Sequence, residues 1–271
     1  MICEFNFKNE YTCDDLLKIM DILRSENGCP WDISQTHTSI KSNVIEEAYE
    51  VLDAIEMEND DMLKEELGDL LLQVVFHSQI AKEEKSFNFD DVADGICKKL
   101  IERHPHIFSN VVVNSTNEVL DNWDTIKQKQ KGQKTCLETL ESVPKVFPAL
   151  MRSQKVQKRA AKSGFDYPVL QMAFDDLQSE IVELQQAISN NDVENIFEEL
   201  GDVAFSVVNV SRFLGVDCED ATQKSCDKFI DRFSMVEKLA ISNGIDMKNV
   251  SIDVLNDLWK QAKLLKENKK I

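Results

Sequence analysis

Two glutamates three residues apart, followed after a polar spacer by a glutamate and an aspartate three residues apart, occur twice in this chain. They are Glu47, Glu50, Glu66 and Asp69, then Glu180, Glu183, Glu199 and Asp202. On a helix, positions three apart lie on one face, about 60° around the axis. The spacers "EMENDD" and "SNND" are turn-formers, so each set is expected to fold as an antiparallel helix hairpin that brings four carboxylates together. Four like charges at close range repel strongly unless a hard cation accepts their oxygens, and Mg²⁺ is the natural occupant.

An acidic, solvated helix face gives the same composition at any one such stretch. The metal reading is favoured here because the acids sit inside apolar runs and the same four-acid spacing recurs. Gly68 and Gly201 fall in mid-helix, where Gly costs about 1 kcal/mol relative to Ala, and a close helix approach is the expected reason.

The recurrence is part of a longer one. At an offset of 133, Glu47, Glu50, Ala54, Ile55, Glu65 to Asp69, Val74, Val75 and Ser78 meet identical residues, Glu180 through Ser211. With a shorter loop, "KLIER" at 99–103 also meets "KFIDR" at 228–232. Apolar residues return every three or four positions nearly throughout, which predicts an all-α chain of two related helical domains. The expected bounds are 1–115 for the first repeat, 116–145 for a linker containing "IKQKQKGQK", and 146–271 for the second repeat. The one β-like run, Val111 to Val113, is too short to predict a sheet. A thin hairpin buries little apolar surface alone, so the repeats are expected to assemble into homodimers.

Composition excludes several classes. The 271 residues are 42% hydrophobic and carry a formal charge of -18, which opposes binding to a nucleic-acid polymer. A small anion bridged by a cation is compatible with that charge. No apolar stretch approaches the length of a membrane span, and the start "MICEFNFKNE" lacks a signal pattern, so a cytoplasmic protein is expected. Seven cysteines with no C-x-x-C pair read as reduced thiols, mostly buried.

"EEAYE" with "ELGD", joined by "CPWD", "QTH", "RHPHIF", "PALMRSQKVQKRAAKSGFD" and "LWKQAK", resembles the MazG family of nucleoside triphosphate pyrophosphohydrolases over nearly the whole chain. The resemblance implies a tandem, all-helical, usually dimeric enzyme that converts nucleoside triphosphates (NTP or dNTP) to monophosphate and pyrophosphate with Mg²⁺. It places the metal and catalytic role on Glu180, Glu183, Glu199 and Asp202. It matches Lys228, Arg232 and Trp259 to the nucleotide-binding residues of the second half. Lys228 and Arg232, four apart on one helical face, suit a phosphate clamp, and Trp259 suits base stacking. A surface ion-pair helix and a core tryptophan are the ordinary alternatives.

Glu46, Glu47, Glu50, Glu66, Asp69, Lys99 and Arg103 then form a possible second site, with no counterpart of Trp259 evident in the first half. Three departures from the family pattern stand out: Ser179 replaces the first Glu of E-E-x-x-E, Asp176 stands where a Lys is often found, and Tyr167 where Trp is common. They motivate an alternative, a catalytically reduced nucleotide-binding or regulatory module. His37, His77, His104, His106 and Cys29 read as structural, and the basic run Arg152 to Lys162 as one polar helix face.

Overall fold

The structure is a computed structural model, which describes residues 5–111, 113, 115–130 and 132–268. Among these, all regular structure is helical. Val111 and Val113 are in no strand, and Val112 of that β-like run lies outside the described residues. The chain divides into two compact units, Met1–Lys127 and Gln128–Ile271.

The first unit holds α1 (Cys13–Leu23), α2 (Pro30–Ser34), α3 (Asn43–Glu56), α4 (Asp60–Glu83), α5 (Phe89–Arg103), α6 (Pro105–Phe108) and most of α7 (Thr116–Gln130). In the second are α8 (Cys136–Glu141), α9 (Ala149–Lys162), α10 (Leu170–Asn190), α11 (Val193–Phe213), α12 (Cys218–Ser242) and α13 (Ile252–Asn268). The span 116–145, read as a linker, contains α7 and α8.

Each unit is organised on a hairpin, α3 with α4 and α10 with α11. The turns follow from local chemistry. Glu58 and Asn191 adopt positive φ, 51° and 54°, reversing the chain at the ends of α3 and α10. The Asn59 side chain then accepts from the amides of Asp61 and Met62, and that of Asp192 from the amide of Asn195, capping α4 and α11. Such caps contribute about 1 kcal/mol each. Between the paired helices lie matching small residues, Ala54 and Ala187, at 0% and 1% exposure.

Met20, Ile40, Val75, Phe76 and Ile80 form the core of the first unit, with Leu16, Leu17, Leu72 and Phe89 against it. In the second, Val236, Ala240, Leu258 and Ala262 join α12 to α13. Gln157 on α9 donates 2.8 Å to the Phe205 carbonyl on α11, and Arg212 pairs with Asp166 at the start of the α10 hairpin. His37 and His77 are structural in the first unit: their rings stack with centroids 5.0 Å apart, and the two Nδ1 atoms are 2.7 Å apart.

Two expectations are corrected. A Cβ built on Gly68 or Gly201 meets nothing within 4 Å, so neither glycine marks a close helix approach within the chain. Both lie on the outer side of their hairpin, where Leu67 and Leu200 are also exposed. The described cysteines are free thiols, but only Cys218 is buried, and Cys13, Cys97, Cys136 and Cys226 are exposed. Two-helix layers leave every helix a wide outer face, and these cysteines occupy it.

Candidate active site

Glu47 lies on α3 and Glu66 and Asp69 on α4, and one carboxylate oxygen from each falls within 4.8 Å of the others. The second hairpin repeats the arrangement with Glu180 from α10 and Glu199 and Asp202 from α11. The i, i+3 spacing puts Glu66 and Asp69 on one face of α4, and the hairpin turn returns that face to Glu47. The same holds for the second set.

Crowding shows in the titration behaviour. Burial raises the Glu180 carboxyl above its ordinary value, and the charges of Glu183, Asp202, Asp176 and Glu199 push it further up. Glu199 is raised by burial and then by Glu183 and Asp202. In the first unit, burial raises Glu47, followed by Asp69 and Glu50, against a weak opposing bond from Gln73. Burial and the neighbouring Glu50 raise Glu66. These acids destabilise one another's ionised forms, and a cation placed among them reverses that penalty.

The donors fit a hard divalent cation. All are carboxylate oxygens, with no His or Cys in either set. Octahedral Mg²⁺ at about 2.1 Å per ligand spans about 4.2 Å between opposite oxygens, close to the observed spread. Glu50 and Glu183 stand beside the three-oxygen clusters, coupled by charge to Glu66 and Glu199 respectively. Exposed Glu46 adds its charge next to Glu47.

Local hydrogen bonds distinguish the two sites. Gln73 donates to Glu47 Oε1 at 3.4 Å. At the matching position, Ser206 donates instead to Asp176 at 2.9 Å, and Tyr167 donates to the other Asp176 oxygen at 2.7 Å. Ser179, which occupies the place of Glu46, donates 3.0 Å to Glu183 Oε1. Asp176 is therefore a fifth carboxylate at the second cluster, held by two hydroxyls.

Of the cationic and aromatic residues, Arg232 on α12 lies over the Trp259 ring on α13, with the guanidinium 4.8 Å from the centroid. Phe229 flanks the same ring at 5.2 Å. Trp259 also packs on the α12–α13 core, so it is both a core residue and a cation-bearing platform. Lys228, one turn before Arg232, is exposed and lies outside these contacts. In the first unit, Lys99 is exposed on α5, and Arg103 at the end of that helix lies 5.4 Å over the ring of Trp123 on α7.

Trp123 corrects the expectation that the first half lacks a counterpart of Trp259. The signal was present: "EVLDNW" at 118–123 parallels "DVLNDLW" at 253–259 with one residue inserted. A fixed-offset comparison passes over it because α5 ends at Arg103 whereas α12 runs on past Arg232 to Ser242, so the spacing from arginine to tryptophan differs between the halves.

Residues 35–108 and 171–236 each match the family model of the MazG nucleotide pyrophosphohydrolase domain. The nucleoside triphosphate pyrophosphohydrolase of Escherichia coli (strain K12) is 43% identical over 255 residues, covering 92% of this chain and 96% of that protein. A Thermotoga maritima protein named nucleoside triphosphate pyrophosphohydrolase/pyrophosphatase MazG is 42% identical over 250 residues, covering 92% and 95%. The protein YabN of Bacillus subtilis (strain 168) is 43% identical over 242 residues, covering 89% of this chain and 49% of its own length.

Proposed function

The chain belongs to the MazG nucleotide pyrophosphohydrolase family, and from that premise we propose that it hydrolyses nucleoside triphosphates to monophosphate and pyrophosphate with Mg²⁺, by water attack on the α-phosphorus. The observation that carries the metal chemistry is the paired geometry: in each unit three carboxylate oxygens from two helices lie within 4.8 Å. No His or Cys competes to redirect those sites toward a softer metal.

Glu180, Glu199 and Asp202 hold the cation in the second unit. When bound, Mg²⁺ neutralises phosphate charge and lowers the pKa of water. The chain's own groups do the rest. Glu183 is oriented through Oε1 by the Ser179 hydroxyl, leaving its other oxygen to accept a proton from the attacking water. Lys228 and Arg232 hold the outer phosphates, and the Trp259 face takes the base. Glu46, Glu47, Glu50, Glu66, Asp69, Lys99 and Arg103 line the corresponding site of the first unit.

A homodimer accompanies this reading. Large side chains on the hairpins stay exposed, among them Ile45, Tyr49, Leu52, Val182 and Phe197, and a second copy of the chain is the partner suited to so repeated an apolar face. None of the helices searched is long and apolar enough to cross a membrane. The reading is of a cytoplasmic enzyme acting on free nucleotides, since a net charge of -18 opposes binding to a nucleic-acid polymer.

The test is pyrophosphate release from a panel of NTPs and dNTPs with Mg²⁺ and with EDTA, run in ¹⁸O-labelled water. The expected label is in the monophosphate, and label confined to pyrophosphate would refute attack at the α-phosphorus. A second reading, a nucleotide-binding regulatory module, is favoured by Asp176, a negative group fixed beside Glu180. Tight nucleotide binding with no pyrophosphate from any member of the panel would establish that module instead.

A further inference from the structure

We propose that Asp176 is a positioning residue of the second cluster, a fixed negative charge that makes the second unit take up its divalent cation at a lower concentration than the first. This deepens the reading given above, in which the carboxylate clusters hold Mg²⁺, and rests on it.

Spacing on the hairpin sets the geometry. Asp176, Glu180 and Glu183 stand four and three apart on α10, and Glu199, Asp202 and Ser206 three and four apart on α11, so each set lines one face of its helix. Because the two helices run antiparallel, Asp176 falls opposite Ser206, one turn beyond the pair Glu180 and Asp202. The Ser206 hydroxyl donates to Asp176 Oδ2 at 2.9 Å across the hairpin, and Tyr167 donates to Oδ1 at 2.7 Å from the loop before α10. A carboxylate gripped at both oxygens is restrained from swinging into solvent, so its charge stays beside the cluster.

The first unit is a control built into the same chain. Its matching positions are Asn43 and Gln73, both neutral. Gln73 turns its amide to a member of the cluster, donating to Glu47 Oε1 at 3.4 Å, whereas Ser206 spends its hydroxyl on Asp176. Glu46, the acid that only the first unit has, is exposed and bears least on Glu47 of the charges around it. Asp176 bears on Glu180 more than Glu199 does, although Glu199 is itself a member of the cluster. Only the second unit therefore fixes an additional charge one turn from the cation position. A unit charge about 6 Å from a divalent cation alters its affinity by about tenfold even at the dielectric of water. As the cation concentration rises, the second unit fills first and the first unit later.

The experiment titrates the full chain with Mn²⁺, an oxygen-seeking probe whose free aquo ion is counted by its paramagnetic resonance signal, at low ionic strength. Two ions per chain are expected, one bound about tenfold more tightly than the other. Asp202→Asn should abolish the tight class and Asp69→Asn the weak one. Asp176→Asn should weaken the tight class by about tenfold, and Asn43→Asp should strengthen the weak class by a similar factor. A packing role for Asp176 does not produce that gain, and Asn43 is the first residue of α3, where an aspartate suits the helix end. A tight class that is unchanged in Asp176→Asn, or that is lost in Asp69→Asn, overturns the proposal, and so do two sites of equal affinity in the wild type. A wild type that binds no Mn²⁺ removes the cation reading itself, so the two failures are distinct. Should Asp176→Asn lose its helical circular dichroism, Asn43→Asp decides, and an unchanged weak class contradicts the proposal.

Discussion

The Ser179 hydroxyl donates a 3.0 Å hydrogen bond to Glu183 Oε1, one turn along α10. The residue that departs from the acidic motif therefore orients a carboxylate of that motif. A hydrogen bond to a charged acceptor at a partly exposed position is worth about 1 kcal/mol, or roughly fivefold in an equilibrium. Ser179→Ala is expected to lower the rate of pyrophosphate release at saturating Mg²⁺ by roughly that factor. An unchanged rate would mean that the bond plays no part in the site.

Charge removal at the second cluster has a larger effect. In a background where Asp69→Asn has silenced the first unit, adding Asp202→Asn should lower the remaining turnover by about a hundredfold, since it removes a ligand charge from the cation site. Glu183→Gln in that background should cost a similar amount. Steady-state pyrophosphate release checks both, with helical circular dichroism as the folding control. Near-normal turnover of the double variant would move catalysis away from Glu180, Glu199 and Asp202.

Cation binding should also stabilise the fold. Carboxylates held within 4.8 Å repel one another without a cation, and a ligand that binds only the folded state raises its stability by mass action. Addition of millimolar Mg²⁺ is expected to raise the thermal midpoint by several degrees, with EDTA reversing the gain. Asp202→Asn combined with Asp69→Asn should melt higher than wild type in EDTA, through relieved repulsion, and respond little to Mg²⁺. A Mg²⁺-independent wild type would exclude both clusters as cation sites.

The His37–His77 stack makes the first unit acid-sensitive. Burial, and then the neighbouring His37, hold the His77 imidazole below its ordinary value of 6.5. Unfolded His77 therefore takes up its proton as pH falls through 6.5, whereas folded His77 resists until a lower pH. The unfolded state binds more protons in that window, so stability declines from pH 6.5 down to the folded value and levels off below it. The nearby Glu84 faces His37 Nε2 at 3.8 Å, not His77. Thermal midpoints between pH 7.5 and 5.5 should fall more steeply in wild type than in His77→Gln, and equal slopes would contradict the assignment.

Much of the fold was legible because the hairpins repeat at a constant offset: Ala54 with Ala187, and Val75 with Val208, are buried alike. The carboxylate clusters were legible for the same reason, since spacing on a helix fixes the face. Beyond the hairpins the offset changes with loop length, and Trp123 was passed over there. Asp176 could not be assigned its partners from spacing alone, because Tyr167 and Ser206 reach it from a loop and a facing helix, whereas Ser179 and Glu183 stand four apart on α10. Gly68 and Gly201 misled because mid-helix glycine suggests contact, while the space beside each is open.

From Asn43 to Ser78 and from Asp176 to Ser211 the two hairpins are equal in length, with reversed turns at Glu58 and Asn191 and corresponding buried alanines. They are thus interchangeable cassettes. Exchanging one for the other alters no connection length, yet swaps Glu46 for Ser179 and Gln73 for Ser206 in a single move. The duplication has left two working drafts of one carboxylate cradle in a single polypeptide, and chimeras carrying two copies of either draft would assign the chemistry of each without a single designed substitution.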